Sequence, residues 1–127
     1  MKTLHLLFSH SLTPEQAADA KDKLQITDFQ ALPVDLQQHF SQVLADLEDL
    51  REYARPLQNW LKANAQAGDF ALVQGDFGLA FILVQNCKEI GVIPVYATTE
   101  RQSVEVVQAD GSVLTQRVFK HRRFRKY

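Results

Sequence analysis

The chain has 127 residues, 46% hydrophobic and 23% charged, the make-up of one globular domain rather than a disordered or fibrous chain. One cysteine, Cys87, excludes an internal disulfide framework, and no run approaches the roughly 20 apolar residues of a membrane-spanning helix. Net charge is −1, but the last eight residues, KHRRFRKY, hold five of the 14 Lys and Arg; the rest carries nine cations against 15 acids, a balance of −6. A basic end on an acidic body points to an anionic partner.

Residues 4–8, LHLLF, read as a first strand ended by Ser9-His10-Ser11. The opening is broken by His5 and lacks an A-x-A-like cleavage site, so a cytoplasmic location is expected. Thr13-Pro14-Glu15-Gln16 is a helix start, with Thr13 as N-cap, Pro14 at the first position and Gln16 completing a capping box. That helix runs to about Leu24, and residues 29–32 form a short second strand. Leu36, Phe40, Val43 and Leu44 fit one short helix, and Leu47, Leu50, Ala54, Leu57 and Leu61 a longer one. Pro56 predicts a kink or break near Arg55.

Residues 70–101 are the centre of the chain. FALVQ is a buried strand, residues 77–90 a buried helix closed by Gly91, and IPVYA a second strand followed by a polar loop. A unit of this size gives parallel strands joined by a right-handed crossover. SVEVVQ-ADGS-VLTQRVF then reads as a hairpin turning at Asp110-Gly111; with two central residues, Val107, Leu114 and Val118 would share a face. The fold expected is one α/β domain over residues 1–127, with a mainly parallel sheet and a C-terminal β-hairpin.

Ligands of such sheets gather at the carboxyl ends of the strands. Three loops are expected to meet there: Ser9-His10-Ser11, Gln74-Gly75-Asp76 with the adjoining Phe77, and Thr98-Thr99-Glu100-Arg101. Hydroxyls, an imidazole, backbone amides beside glycine and a guanidinium suit a phosphate-bearing ligand. Asp76 fits a helix cap better than a catalyst. Imidazole is the side-chain group whose ordinary charge change falls closest to neutral pH, so His10 is the best acid–base candidate, with an ordinary loop histidine as the alternative. His5 and His39 fit structural roles, and His121 joins a site only if the basic end folds back. Asp46, Glu48 and Asp49 read as a solvated helix face. Lys120, Arg123 and Arg125, interleaved with Phe124 and Tyr127, suit phosphates and stacked bases, or else a loose, solvated terminus. The histidines and Cys87 have no zinc spacing, and Rossmann, P-loop and G-x-S-x-G signatures are lacking, so neither metal nor cofactor is expected.

The strings LVQGDFG, IPVYATTER and DGSV…RVFKHRRFRKY, with the opening LLFSHSLTPEQ, resemble a family of small Csx-type accessory proteins of type III CRISPR systems. The resemblance covers nearly the whole chain. It implies a Rossmann-like, three-layer fold related to CARF sensor domains and a homodimer. The family is linked to ring nucleases, which cut cyclic oligoadenylate and switch off antiviral signalling. The function expected is therefore metal-independent cleavage of cyclic tetra- or hexa-adenylate by the ribose 2′-OH, with no membrane or DNA partner. His10, Thr99, Arg101 and His121 would serve catalysis. Ser9, Ser11, Gln74, Gly75, Asp76, Phe77, Thr98, Lys120, Arg123 and Arg125 would hold the ligand. Two alternatives stand beside it: a non-catalytic sensor or sponge of the same messenger, and an RNA-binding protein using the basic end.

Overall fold

The computed structural model describes every residue, 1–127. Its elements run β1 (Lys2–Phe8), α1 (Pro14–Lys23), β2 (Ile26–Ala31), α2 (Val34–Ser41), α3 (Arg51–Asn64), β3 (Phe70–Gln74), α4 (Phe77–Glu89), β4 (Ile93–Val107) and β5 (Val113–Lys126). One five-stranded sheet has the order β2-β1-β3-β4-β5, parallel except for the antiparallel β4–β5 pair.

The handedness of crossovers explains the layering. The step from β1 to β2 runs one way across the sheet, and the steps to β3 and β4 run the other way. Helix α1 therefore covers one face, and α2, α3 and α4 the opposite face. Strand alternation sorts the apolar residues to match. Leu4, Phe70, Leu72, Val95 and Phe124 join Ala20 of α1, whereas Leu7, Ala71 and Val73 join Phe40, Leu57, Leu61, Leu79 and Leu83. Central β3 is buried on both faces, which is why FALV reads as an unbroken apolar run.

Local signals operate as expected at three helix ends. Thr13 Oγ1 accepts from the Gln16 amide at 3.2 Å, and Gln16 Oε1 accepts from the Thr13 amide at 3.0 Å, completing the capping box. The Asp76 carboxylate accepts the Leu79 amide at 3.0 Å, so Asp76 caps α4. Gly91, at φ +79°, lets the chain leave α4 for β4.

Elsewhere tertiary packing alters the expectation. Strand β2 begins at Ile26, which is buried beside Ala20. Helix α2 stops at Ser41 and α3 starts at Arg51, so Val43, Leu44, Leu47 and Leu50 lie in the connection. Helix α3 passes through Pro56 without the expected break. The ring removes a single amide donor, while Ala54, Leu57 and Leu61 keep the stripe buried on both sides of it. Asp46, Glu48 and Asp49 occupy the same connection rather than a helix face. The Arg51 guanidinium hydrogen-bonds Asp49 and holds its carboxyl down at about 2.

The hairpin expected over residues 103–119 is present, and the largest correction concerns the stretches that flank it, 98–101 and 120–126. Thr98-Thr99-Glu100-Arg101 is not a loop; β4 continues for 15 residues. The basic end is not a loose terminus but strand β5, laddered from Val95↔Lys126 to Val107↔Val113. Each strand supplies the partner that lets the other remain extended through polar sequence, with both faces wet. The turn spans residues 108–112, with Gly111 at φ +87° and Asp110 accepting from the Ser112 amide at 2.9 Å. This turn is longer than two residues, so Val107 opposes Val113, while Leu114 opposes Val106 and shares its face with Val118.

Candidate functional site

Chain direction across the sheet reverses between β1 and β3, and in open α/β sheets the crevice at such a reversal is the usual ligand site. Two clefts flank that point along the carboxyl edge, one at β1 and β2 and the other at β3 and β4, and neither is lined by both β1 and β3. The first, about 500 Å³, lies at the ends of β1 and β2 beneath α2; Ser9, His10 and Ser11 form its rim and Leu6, Phe8 and Leu32 part of its wall. The His10 ring stands edge-on to Phe8 at 5.4 Å, and Ser41 donates to Ser9 Oγ at 3.1 Å.

The second cleft, about 430 Å³, lies between the ends of β3 and β4 and the first turns of α4. Gln74, Gly75, Phe77, Phe81, Tyr96 and Tyr127 line it. Gly75 is required by close approach, because a Cβ there would meet the Phe40 ring at 2.7 Å. Gln74 Oε1 accepts the Ala97 amide at 2.8 Å and so extends the join between β3 and β4 past Val95. Phe77 and Phe81, one helical turn apart, are 95% and 62% exposed, which marks aromatic surface not used by the core. The Tyr96 and Tyr127 rings lie 4.9 Å apart, and the Tyr127 hydroxyl donates to the Val73 carbonyl. Burial pushes the Tyr127 phenol up, so it keeps its proton at neutral pH. Arg125 stacks over Tyr96 at 5.5 Å and donates to its hydroxyl at 2.9 Å.

The two clefts collect Ser9, His10, Ser11, Gln74, Gly75 and Phe77, with Arg125 beside the second. They do not collect the residues of β4 beyond Ala97. Thr98 braces a β-bulge, its hydroxyl donating to the Arg123 carbonyl at 3.0 Å and accepting the Arg123 amide at 3.2 Å. Thr99 is exposed and opposes His121. Arg101 stacks on Phe119 at 5.2 Å, and Lys120 opposes Glu100, whose carboxylate pairs with Arg122 at 3.2 Å. His121 turns to α1, where its Nε2 meets Asp19 Oδ2 at 2.8 Å and only 6% of its side chain is exposed. It secures β5 to the body.

Sequence reasoning missed Tyr96, Phe81 and the role of Tyr127 as a cleft wall. Period-two alternation from buried Val95 does place Tyr96 on the α4 side, and i, i+4 spacing pairs Phe81 with Phe77. The remaining histidines are structural. His5 Nε2 meets Asp69 at 3.0 Å in the core, and His39 stacks on Tyr53 at 3.8 Å. Burial pushes the Asp69 carboxyl up, but the Gln66 amide, the His5 ring and the Thr3 amide outweigh it and hold it below its ordinary value. The Cys87 thiol is pushed up to about 12 by burial and stays inert. No group of three or more His, Cys, Asp or Glu is arranged to hold a metal ion.

An open α/β sheet with aromatic and polar clefts at its carboxyl edge places the chain among mixed α/β domains whose strand ends are available to a ligand. The chain belongs to the MJ1673 family: the model described as "Uncharacterized protein MJ1673 family" matches residues 2–125. It is similar to "Uncharacterized protein MJ1673" of Methanocaldococcus jannaschii, at 39% identity over 127 residues covering 100% of this chain and 98% of that protein. No solved structure matches. No helix is long and apolar enough to cross a membrane.

Proposed function

We propose that the chain is a cytoplasmic ring nuclease with a Rossmann-like, CARF-type fold that binds and cleaves cyclic oligoadenylate in type III CRISPR signalling. The observation that carries this reading is the β3–β4 cleft. It combines four aromatic side chains with a guanidinium held on Tyr96, which suits a purine with a phosphate beside it. The strand order, reversing at β1 and β3, supports the fold assignment.

In this reading a ring spans the carboxyl edge, with one adenine against Tyr96 and the phosphates toward Arg123 and Arg125. The 2′-oxygen attacks the adjacent phosphorus as its proton leaves to a base. The P–O5′ bond breaks, and the 5′-oxygen takes up a proton. The products carry a 2′,3′-cyclic phosphate and a 5′-hydroxyl. His10, exposed on the first cleft, handles these protons, a role worth roughly 10²–10⁴-fold. Backbone amides near Gly75 and the Arg125 guanidinium stabilise phosphoryl charge, while the Asp76 carboxylate stays on the α4 end that it caps.

One observation favours the binding-only alternative. His121 is engaged by Asp19, which leaves His10 as the one exposed histidine of the edge. Calorimetric titration of cyclic tetra- and hexa-adenylate tests the shared site. Tyr96→Ala or Arg125→Ala is expected to weaken binding by roughly 5–150-fold, the size of about 1–3 kcal/mol per stacked base. Wild-type affinity in both variants, or equal affinity for linear oligoadenylate, overturns the assignment.

A further inference from the structure

Beyond the body, β4 and β5 project as a two-stranded arm, residues 102–118, in which every residue is exposed. Strand β3 accompanies β4 only from Phe70↔Ile93 to Leu72↔Val95. The next position in that lane is taken by a side chain, because the Ala97 amide donates to Gln74 Oε1 at 2.8 Å. This amide oxygen stands where the backbone carbonyl of a continuing strand would stand. Past it β4 runs on to Val107 with β5 as its one neighbour.

Strand geometry fixes which groups face that lane. Along an antiparallel pair, backbone groups point alternately to the partner strand and to the opposite edge. The Ala97 amide faces Gln74, whereas at the turn the Gln108 amide donates to the Ser112 carbonyl at 2.7 Å, toward β5. Alternation between these two fixed points turns the N–H and C=O groups of Thr99, Arg101, Ser103, Glu105 and Val107 to the open edge. The extra residue of the bulge, Arg122, lies on β5, so the alternation is unbroken along β4. No Lys or Pro within 102–118 guards the edge against an added strand.

Donors and acceptors at strand spacing are paired one for one by a second extended peptide, and the side chains select its chemistry. One face of the arm carries Val104, Val106, Leu114 and Val118, 36% to 43% exposed except Leu114 at 49%. The other carries Arg101, stacked on Phe119. Residues 99–123 hold five Lys and Arg against three acids, a balance of +2, and the one ion pair among them joins Arg122 to Glu100. A second arm would bring the same positive balance, whereas a carboxylate would complement it. We propose that the β4 edge, residues 99–107, docks an extended, acidic segment of a partner protein as a third strand antiparallel to β4. Its side chains alternate, aliphatic on the face of Val104 and Val106 and polar on the other, with a carboxylate opposite Arg101. No residue of 99–107 lines either cleft, so the proposal is independent of what the clefts bind.

The probe is a synthetic peptide of alternating Val and Thr with an Asp placed to meet Arg101, titrated into the full chain and followed by residue-resolved hydrogen exchange. Amides of Thr99, Arg101, Ser103 and Glu105 are expected to gain protection, while those of Gln102, Val104 and Val106, which face β5, change little. Methylating alternate peptide nitrogens tests the backbone pairing on the wild-type chain. On the set that faces β4 it is expected to weaken binding by about 10-fold or more, about 1.4 kcal/mol; on the other set it leaves affinity unchanged. Ser103→Pro removes a donor from the open edge and none from the ladder with β5, and is expected to weaken binding by a similar factor. Arg101→Glu is expected to reverse the preference between the Asp peptide and its Lys counterpart. No binding, indifference to both methylation patterns, displacement of the peptide by linear oligoadenylate, or arm protection that rises with chain concentration in the absence of peptide overturns the proposal.

Discussion

Strands β4 and β5 behave as two different objects along their length. As far as Ala97 and Phe124, side chains on one face enter a buried cluster, and the neighbouring positions meet α4. Past the Thr98 bulge, residues 99–120 are all exposed. The same backbone ladder serves both stretches, so hydrogen bonding does not distinguish them; burial does. The body obtains its stability from apolar area removed from water, and the arm has none to remove without a partner. A bulge at the junction is a fitting device, since bulges raise local twist and redirect a strand.

The comparison is broken most forcefully at the centre of the body. Leu72, fully buried on central β3, predicts a loss of about 2–5 kcal/mol on Leu72→Ala, measured by urea unfolding. A loss below about 1 kcal/mol would mean that the sheet centre does not anchor the body.

The buried pair comes next. Asp69 accepts from the Gln66 amide at 3.0 Å, the Thr3 amide at 3.2 Å and His5 Nε2 at 3.0 Å. Asp69→Asn keeps the shape but loses the charge on those bonds, at about 1–3 kcal/mol at neutral pH. The folded carboxyl lies below its ordinary value. Its stabilisation is therefore complete above the unfolded value near about 4 and is lost as pH falls through the folded one. Acid titration of stability should show a shallower fall below about pH 4 in the variant. An unchanged acid limb would place the coupling elsewhere.

The smallest effect belongs to the arm tip. Asp110 accepts from the Ser112 amide and hydroxyl, which hold its carboxyl below the usual range, yet it is fully exposed. Asp110→Ala is expected to leave the urea midpoint of the body unchanged while tip amides exchange faster. A lowered midpoint would tie the arm to the body's cooperative unit.

What the sequence made legible follows the same division. The strand–helix–strand unit, the caps at Thr13 and Asp76 and the buried Cys87 are local signals, and each is where the residues place it. The hairpin turning at Asp110-Gly111 was legible too, but not its continuation into the body through residues 98–101 and 120–126. Thr98-Thr99-Glu100-Arg101 has turn-like polarity, and only pairing with a distant basic strand makes it extended. Tertiary context also carried α3 through Pro56. At the site, Ser9, His10 and Gln74-Gly75 were readable from strand ends, because chain direction dictates which ends meet. Tyr96, Phe81 and Tyr127 were not, because their shared cleft depends on how α4 and the chain end lie over β4.

The central claim is chemical, and one measurement addresses it most directly. Cyclic tetra- and hexa-adenylate are incubated separately with a substoichiometric amount of the chain in EDTA, and the products are separated by chromatography and identified by mass. The account predicts linear fragments bearing 2′,3′-cyclic phosphate and 5′-hydroxyl ends, in molar excess over the protein. Intact ring recovered after prolonged incubation, with or without tight binding, would contradict it.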